Sequence, residues 1–226
     1  MPDYDMGLHL LDRQIVGADD RLVAKVDDVE LTRGDDGSLT PTAILVGAPA
    51  LLPRMGDRMG GWLMRMFRLT REAAADRDLP LLIGMDLVDR VESEVRLTVP
   101  GHGRLQRMDR VRADDRTRCR VGQILGTPVV CDRLPRRSKV LDLRMLGTPG
   151  GAGPHRVTSL IVGPDRPGAL LGYDRRSEPG PAPVAAFVQW LHRHARVVEL
   201  GRGVEIDLDA GEVRIGPEAS LLPLRG

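Results

Sequence analysis

The residues equipped for chemistry are few and widely spaced. His192 and His194 suggest a metal site, but Val184, Phe187, Val188, Leu191 and Ala195 recur around them at helical spacing. Positions i and i+2 of a helix point about 200° apart, so the two imidazoles cannot share one ion, and no third ligand is near. Cys119 lies between Arg118 and Arg120. It is either a thiol whose pKa those guanidiniums lower or an ordinary free thiol, the latter favoured because no base is in sequence reach. Cys131, in Val129-Val130-Cys131, reads as a small core residue, and two cysteines so spaced make neither a disulfide framework nor a zinc pattern. Gly147-Thr148-Pro149-Gly150-Gly151 is broken by proline and has no lysine to reach a phosphate. The acid pairs Asp19-Asp20 and Asp114-Asp115 fall in expected turns or caps, and the five histidines meet no nucleophile motif. The expectation is a protein that is not an enzyme and needs no metal or organic cofactor.

What the sequence does contain is a repeat. Leu22–Leu31 returns as Arg136–Met145 at a constant offset of 114, which also brings Ile15-Val16 onto Val129-Val130. Lys25 and Lys139, the only two lysines in 226 residues, coincide under that shift. In the first copy the aliphatic positions are 26, 29 and 31, and in the second 140, 143 and 145: a step of three and then of two each time. A β-bulge at Asp27-Asp28 and again at Leu141-Asp142 would bring all three onto one face. Asp28 and Asp142 are then either acids aimed at a site or acceptors for backbone groups at the bulge. The second reading is favoured, because short polar side chains bond locally to such irregularities.

The elements that must carry these residues read as mostly strand. Leu8–Val16 is expected to open the first copy, Leu22–Thr32 to form the bulged strand, and Thr42–Gly47 to return after the Asp36-Gly37 hairpin turn. Met55, Met59, Trp62, Leu63, Met66 and Phe67 lie on one face of a helix spanning Met55–Arg71. That face is either a partner groove or, the favoured reading, the side that packs over an open barrel end. Val91–Val99 alternates with period two and reads as one half-buried strand. Arg104–Arg120 holds seven arginines against three aspartates, a binding strip or, more commonly, a solvated connector. Asp114 is expected to N-cap a short helix beyond it. The second copy follows the same order: Lys139–Met145, Val157–Gly163, a helix from Val184 to Arg196, and a closing hairpin through Asp209-Ala210-Gly211-Glu212.

Thirty-three basic residues against 32 acidic ones give a net charge of +1, far from the basic excess that nucleic-acid binding demands. Six aromatic residues leave little for stacking on bases. The N-terminus is acidic where a signal peptide is basic, and Ala43–Leu52 is well short of the ~20 residues of a membrane span, so a cytoplasmic location is expected.

Taken in order, these motifs resemble the PRC-barrel superfamily. It includes the cytoplasmic domain of the photosynthetic reaction-centre H subunit and a barrel of the ribosome-maturation factor. Ile15-Val16, Leu22–Leu31, Asp36-Gly37 and the strand ending at Gly47 carry the likeness in the first copy, and Val129-Val130, Lys139–Leu143 and Leu160–Gly163 in the second. Ala24 and Ser138 stand where the family usually has glycine. The resemblance implies a mainly β fold with accessory helices: two tandem small antiparallel PRC-like β-barrels, each with an added helix before its final strands, as in a bacterial tandem subgroup. Residues 1–103 would form the first barrel domain, 104–124 an Arg-rich connector and 125–226 the second. It further implies a non-enzymatic adaptor or scaffold that binds a protein partner or a second copy of itself. The alternative is a ribosome- or RNA-associated assembly factor, although direct nucleic-acid contact is not expected. No membrane span is expected, and peripheral association with a membrane complex stays open. Tyr173, Arg175, Arg176 and Trp190 are the candidate partner contacts, being of the types that most often anchor interfaces.

Overall fold

The alternation at the start of the chain stops earlier than its pattern suggests. Asp3–Asp5 is a short strand (β1), and Met6–His9 closes a single helical turn (α1), with the Leu10 and Leu11 N–H groups both bonded to the Met6 carbonyl at 3.0 Å. The expected opening strand is therefore only β2 (Gln14–Val16). The computed structural model describes residues 3–55, 57–69, 78–101, 105–146, 155–164 and 195–224. In chain order there follow β3 (Leu22–Lys25), β4 (Asp28–Arg33), β5 (Leu39–Val46), α2 (Ala48–Leu51), a 3-10 turn at Leu52–Met55 and α3 (Asp57–Leu69). Next come β6 (Leu81–Gly84), β7 (Val88–Val91), β8 (Val95–Leu97), β9 (Gln106–Arg107), α4 (Arg110–Ala113), β10 (Arg118–Arg120) and α5 (Val121–Ile124). The second half holds β11 (Val129–Val130), β12 (Ser138–Leu146), β13 (Arg156–Pro164), β14 (Arg196–Glu199), β15 (Val204–Asp207), β16 (Glu212–Ile215) and β17 (Leu221–Pro223). The protein is mainly β, with few helices.

Three elements differ from their expected form. Leu22–Thr32 is not one strand: the chain leaves one sheet after Lys25 and enters another at Asp28, so β3 and β4 have different partners. Val91–Val99 is a hairpin, because Glu92-Ser93-Glu94 turns the chain with a 2.9 Å bond from the Glu92 N–H to the Glu94 carbonyl. Three consecutive polar residues outweigh the period-two pattern there. Asp114 is no N-cap. Asp109 caps α4, its Oδ1 accepting the Arg112 N–H at 2.8 Å, while Asp114 closes that helix at its C-terminus. The expected second helix up to His194 and the Gly/Pro loop from Gly147 lie outside the described residues, and Arg196, expected as the end of that helix, instead begins β14.

The main sheet runs β1-β12-β13-β5-β4-β10, with β14 and β17 branching from β13, and β6 and β9 from β5. A pseudo-twofold relation lies between β13 and β5, which touch at a single pair, Val157 with Leu39. Either side of it the halves match rung for rung. Asp27 and Asp28 both oppose Leu45, the Asp27 N–H donating to its carbonyl at 3.0 Å; likewise the register of β12 on β13 skips Leu141, so that Asp142 pairs with Ile161. Both copies put two residues opposite one at this position, within β12 in the second and at the entry to β4 in the first. Leu31 against Pro41 and Met145 against Val157 mark a second, matching shift. The parallel pair of β2 with β8 is repeated by β11 with β16.

The repeated aliphatic triads supply the core. Val26, Val29, Leu31, Val140, Leu143 and Met145 are all at most 1% exposed and belong to a single apolar cluster that spans both halves. Burying a side chain of this size is worth roughly 1.5–3 kcal/mol, so six of them fix the register of both bulged strands.

Candidate functional site

The two bulge aspartates do the same job in each half, and each does it across the pseudo-twofold relation. Asp142 Oδ1 accepts the N–H of Leu143 at 2.7 Å and of Gly7 at 2.6 Å, and its Oδ2 accepts the Leu8 N–H at 3.2 Å. Asp28 Oδ1 accepts the N–H of Val29 at 2.8 Å and of Gly122 at 2.9 Å. The chain before the first half thus caps the second half's aspartate, and the chain before the second half caps the first's. Gly7 and Gly122 are required by this close approach: a Cβ on either would lie 2.7 Å from the aspartate's Oδ2. Burial pushes the Asp28 carboxyl up to about 6, more than its two backbone donors and the charges of Arg54 and Arg120 pull it down. Both aspartates serve as structural acceptors, the role favoured from sequence.

Beside Asp28 on β4 lies a buried ion cluster. Glu30, 2% exposed, receives Arg112 in a two-point contact, Nε to Oε2 at 3.1 Å and a terminal nitrogen to Oε1 at 2.6 Å. Arg118 and the Thr42 hydroxyl each donate to Oε1 at 2.8 Å. Burial alone would raise this carboxyl, but the bonds from Arg112 and Thr42 and the two guanidinium charges outweigh it and hold it below the usual range. The Arg-rich segment is therefore partly directed inward. Arg110 pairs with Asp78 at 2.9 Å, and Arg120 bonds the Pro49 carbonyl at 3.2 Å. Within that segment β10 is a strand of the main sheet, paired along β4 from Thr32 to Glu30.

Cys119 sits in β10 and is buried; burial pushes its thiol up to about 11, against a smaller opposing effect of Arg33. The flanking Arg118 and Arg120 do not activate it, because neighbours in a strand point to opposite faces. Cys131 is partly buried. Of the acid pairs, Asp19-Asp20 lies in a turn where Asp20 has φ 56°, and Asp115 accepts the Thr117 N–H at 2.9 Å. Among the described residues no group of three or more His, Cys, Asp or Glu could hold a metal ion. Tyr173, Arg175, Arg176, Trp190, His192 and His194 lie outside the described residues.

A cleft of about 1100 Å³ lies at the junction of the halves. Its lining residues come from both halves. Two strand edges border it. β10 ends the main sheet and pairs only with β4, while β15 ends its three-stranded sheet and pairs only with β16 among the described residues. Arg118 and Cys119 of the first line the cleft, as do Val204–Asp207 of the second. An Arg33 terminal nitrogen donates to the Ile206 carbonyl at 3.0 Å, so this edge carbonyl points away from β16. Acidic residues outnumber arginines in the lining seven to four. Neither edge was singled out from sequence. Val204 and Ile206 were assigned to a hairpin, and nothing in a strand's own pattern says which side stays unpaired.

No family model matches the chain, and no curated protein matches it significantly. Among the described residues no helix is long and apolar enough to cross a membrane.

Proposed function

We propose that this chain is a non-enzymatic adaptor of PRC-barrel type, its two halves being tandem barrels of that family, and that it binds a protein partner in the cleft between them. The observation carrying this reading is that two strand edges with no strand partner among the described residues, β10 and β15, border one cleft. An exposed edge is a template for pairing, and an extended segment of a partner gains main-chain hydrogen bonds there while its alternate side chains are read by the walls. The acidic excess of the lining favours a segment carrying lysine or arginine. Tyr173, Arg175, Arg176 and Trp190 are proposed as further contacts. The assembly-factor alternative is the weaker reading, since Arg112 and Arg118 are tied to Glu30 rather than presented together. A photo-crosslinking residue at Glu205, in the cleft, and at Asp89, an exposed residue of β7, tests the reading in the native cell. One discrete protein adduct at Glu205 and none at Asp89 is expected. Equal labelling, no adduct, or turnover of a small molecule by the purified chain refutes it.

A further inference from the structure

We propose that α3 is a membrane-surface anchor whose outward stripe enters the interfacial layer of an anionic bilayer. The α3 residues among those grouped on one helical face do not stay together in the fold. Leu63 and Phe67 are half-buried on the side where Gly60 meets the chain, so close that a Cβ there would run into the Leu52 carbonyl oxygen. Met59, Trp62, Met66 and Leu69 form a second stripe at i, i+3, i+7 and i+10, and they are 47%, 61%, 43% and 73% exposed. Four large apolar side chains exposed to this degree along one helix are a marked surface feature. The helix was expected to pack this face over a barrel end. Among the described residues its main packing partner is instead the 3-10 turn at Leu52–Met55, which meets the Gly60 side.

The charges on the helix choose the occupant. α3 carries arginine at 58, 65 and 68 and one acid, Asp57, at its first position. At 100° per residue, positions 58 and 65 fall beside the Trp62–Leu69 stripe, and Arg65 is exposed. A helix with tryptophan, leucine and methionine on one side and arginines along the flank is built to lie in the plane of a membrane interface. Its indole sits at the headgroup level and its guanidiniums meet lipid phosphates. A second copy of the chain fits less well. Four partly exposed side chains fall far short of the roughly 800 Å² that each partner gives to a stable interface, and like-charged arginines would face each other. The site is separate from the cleft, so the adaptor reading and this one stand or fall independently.

The test is flotation of the full chain with phosphatidylcholine vesicles, with and without phosphatidylglycerol. A Trp190→Phe background makes Trp62 the only reporting indole. The chain should float with the anionic vesicles, lose that partition at high salt, and show a blue shift of Trp62 emission on binding. Trp62→Glu with Met66→Glu should abolish flotation. Arg65→Glu should weaken it about thirtyfold, two steps of ~1 kcal/mol for a basic residue near an anionic surface. Both variants change exposed positions, and circular dichroism confirms that they fold. A chain that stays in the buffer with unshifted Trp62 emission overturns the proposal. Equal partition on neutral vesicles, or by Arg65→Glu, overturns it too. So does a concentration-dependent dimer that Trp62→Glu dissolves without any flotation, since the occupant is then a second copy.

Discussion

Asp28→Asn isolates the electrostatic strain at the first bulge. In the folded chain this carboxyl is 1% exposed and titrates at about 6, against 3.8 for the same group in water. A folded pKa above the unfolded one means that the native state holds the proton more tightly. Asp28 therefore contributes no penalty below the unfolded pKa, and its ionisation progressively destabilises the fold as pH rises toward the folded value. A difference of about two units is worth about 3 kcal/mol in full, and about 2.5 kcal/mol of it develops between about pH 4 and pH 7. Asparagine keeps an oxygen for the Val29 and Gly122 N–H groups but never ionises. Urea unfolding of both proteins across that range gives the quantity that matters, the difference between their stabilities at each pH. Any fixed cost of placing an amide nitrogen at Oδ2 cancels from its slope. The variant should gain on the wild type by about 2.5 kcal/mol from pH 4 to pH 7. A flat difference would mean that burial does not control this group. A gain by the wild type instead would mean that the two backbone donors hold the carboxylate ionised, and the reasoning from desolvation would be wrong.

Glu30→Ala should destabilise the protein by about 3 kcal/mol in chemical unfolding, because it leaves Arg112 without its buried anion and Arg118 with Asp115 alone. The adjacent glycines of α3 should respond with opposite signs in thermal melts. Gly61→Ala, which meets nothing within 4 Å, should raise stability by up to ~1 kcal/mol, and Gly60→Ala should lower it against the Leu52 carbonyl. At neutral pH, iodoacetamide should alkylate Cys131 well before Cys119, whose buried thiol is almost wholly protonated; mass spectrometry of the folded and urea-unfolded chain reads the order.

The repeat was legible because its signal is local. Lys25-Val26 and Lys139-Val140, with the three-then-two spacing behind them, encode two residues opposite one, and that arrangement formed within β12 and at the entry to β4, although the first copy is not the single strand expected. The partner of each bulge was not legible. Under the constant offset of 114, Gly7 falls on Val121; the structure instead matches Gly7 to Gly122, an offset of 115, and the shift is absorbed before Asp12 and Gly126, which share a left-handed φ of 67° and 77°. A one-residue slip hides a correspondence that only hydrogen bonds 94 and 135 residues apart in sequence make plain. The hairpin at Glu92–Glu94 and the break between Lys25 and Asp28 were missed for a related reason. Periodicity reports which face is buried, and says nothing of the point at which a strand changes partner. The helix at Asp57–Leu69 was found by its period, yet the division of its apolar residues into an inward and an outward set depended on where Gly60 touches the chain.

The exchange of short segments explains why a duplicated chain behaves as one unit. β1 and α1 precede the first half but pair with β12, while β10 and α5 precede the second half but pair with β4. Cutting the chain between the repeats would strip each half of a strand and of the N–H donors on its buried aspartate. Unsatisfied buried acceptors of this kind cost about 1–3 kcal/mol each, more when charged, a large part of the stability of a domain of about 100 residues. β5 and β13 touch at Leu39 and Val157 and run antiparallel from there, one leading into α2 and α3 and the other away past Pro164. Duplication with exchange therefore fixes the outgoing ends of the two central strands on opposite sides of one continuous sheet, with the cleft held at the junction. In the adaptor reading proposed above, surfaces held at a set separation would raise the effective concentration of a second contact once the first is made, an advantage that two units on a loose linker would lose.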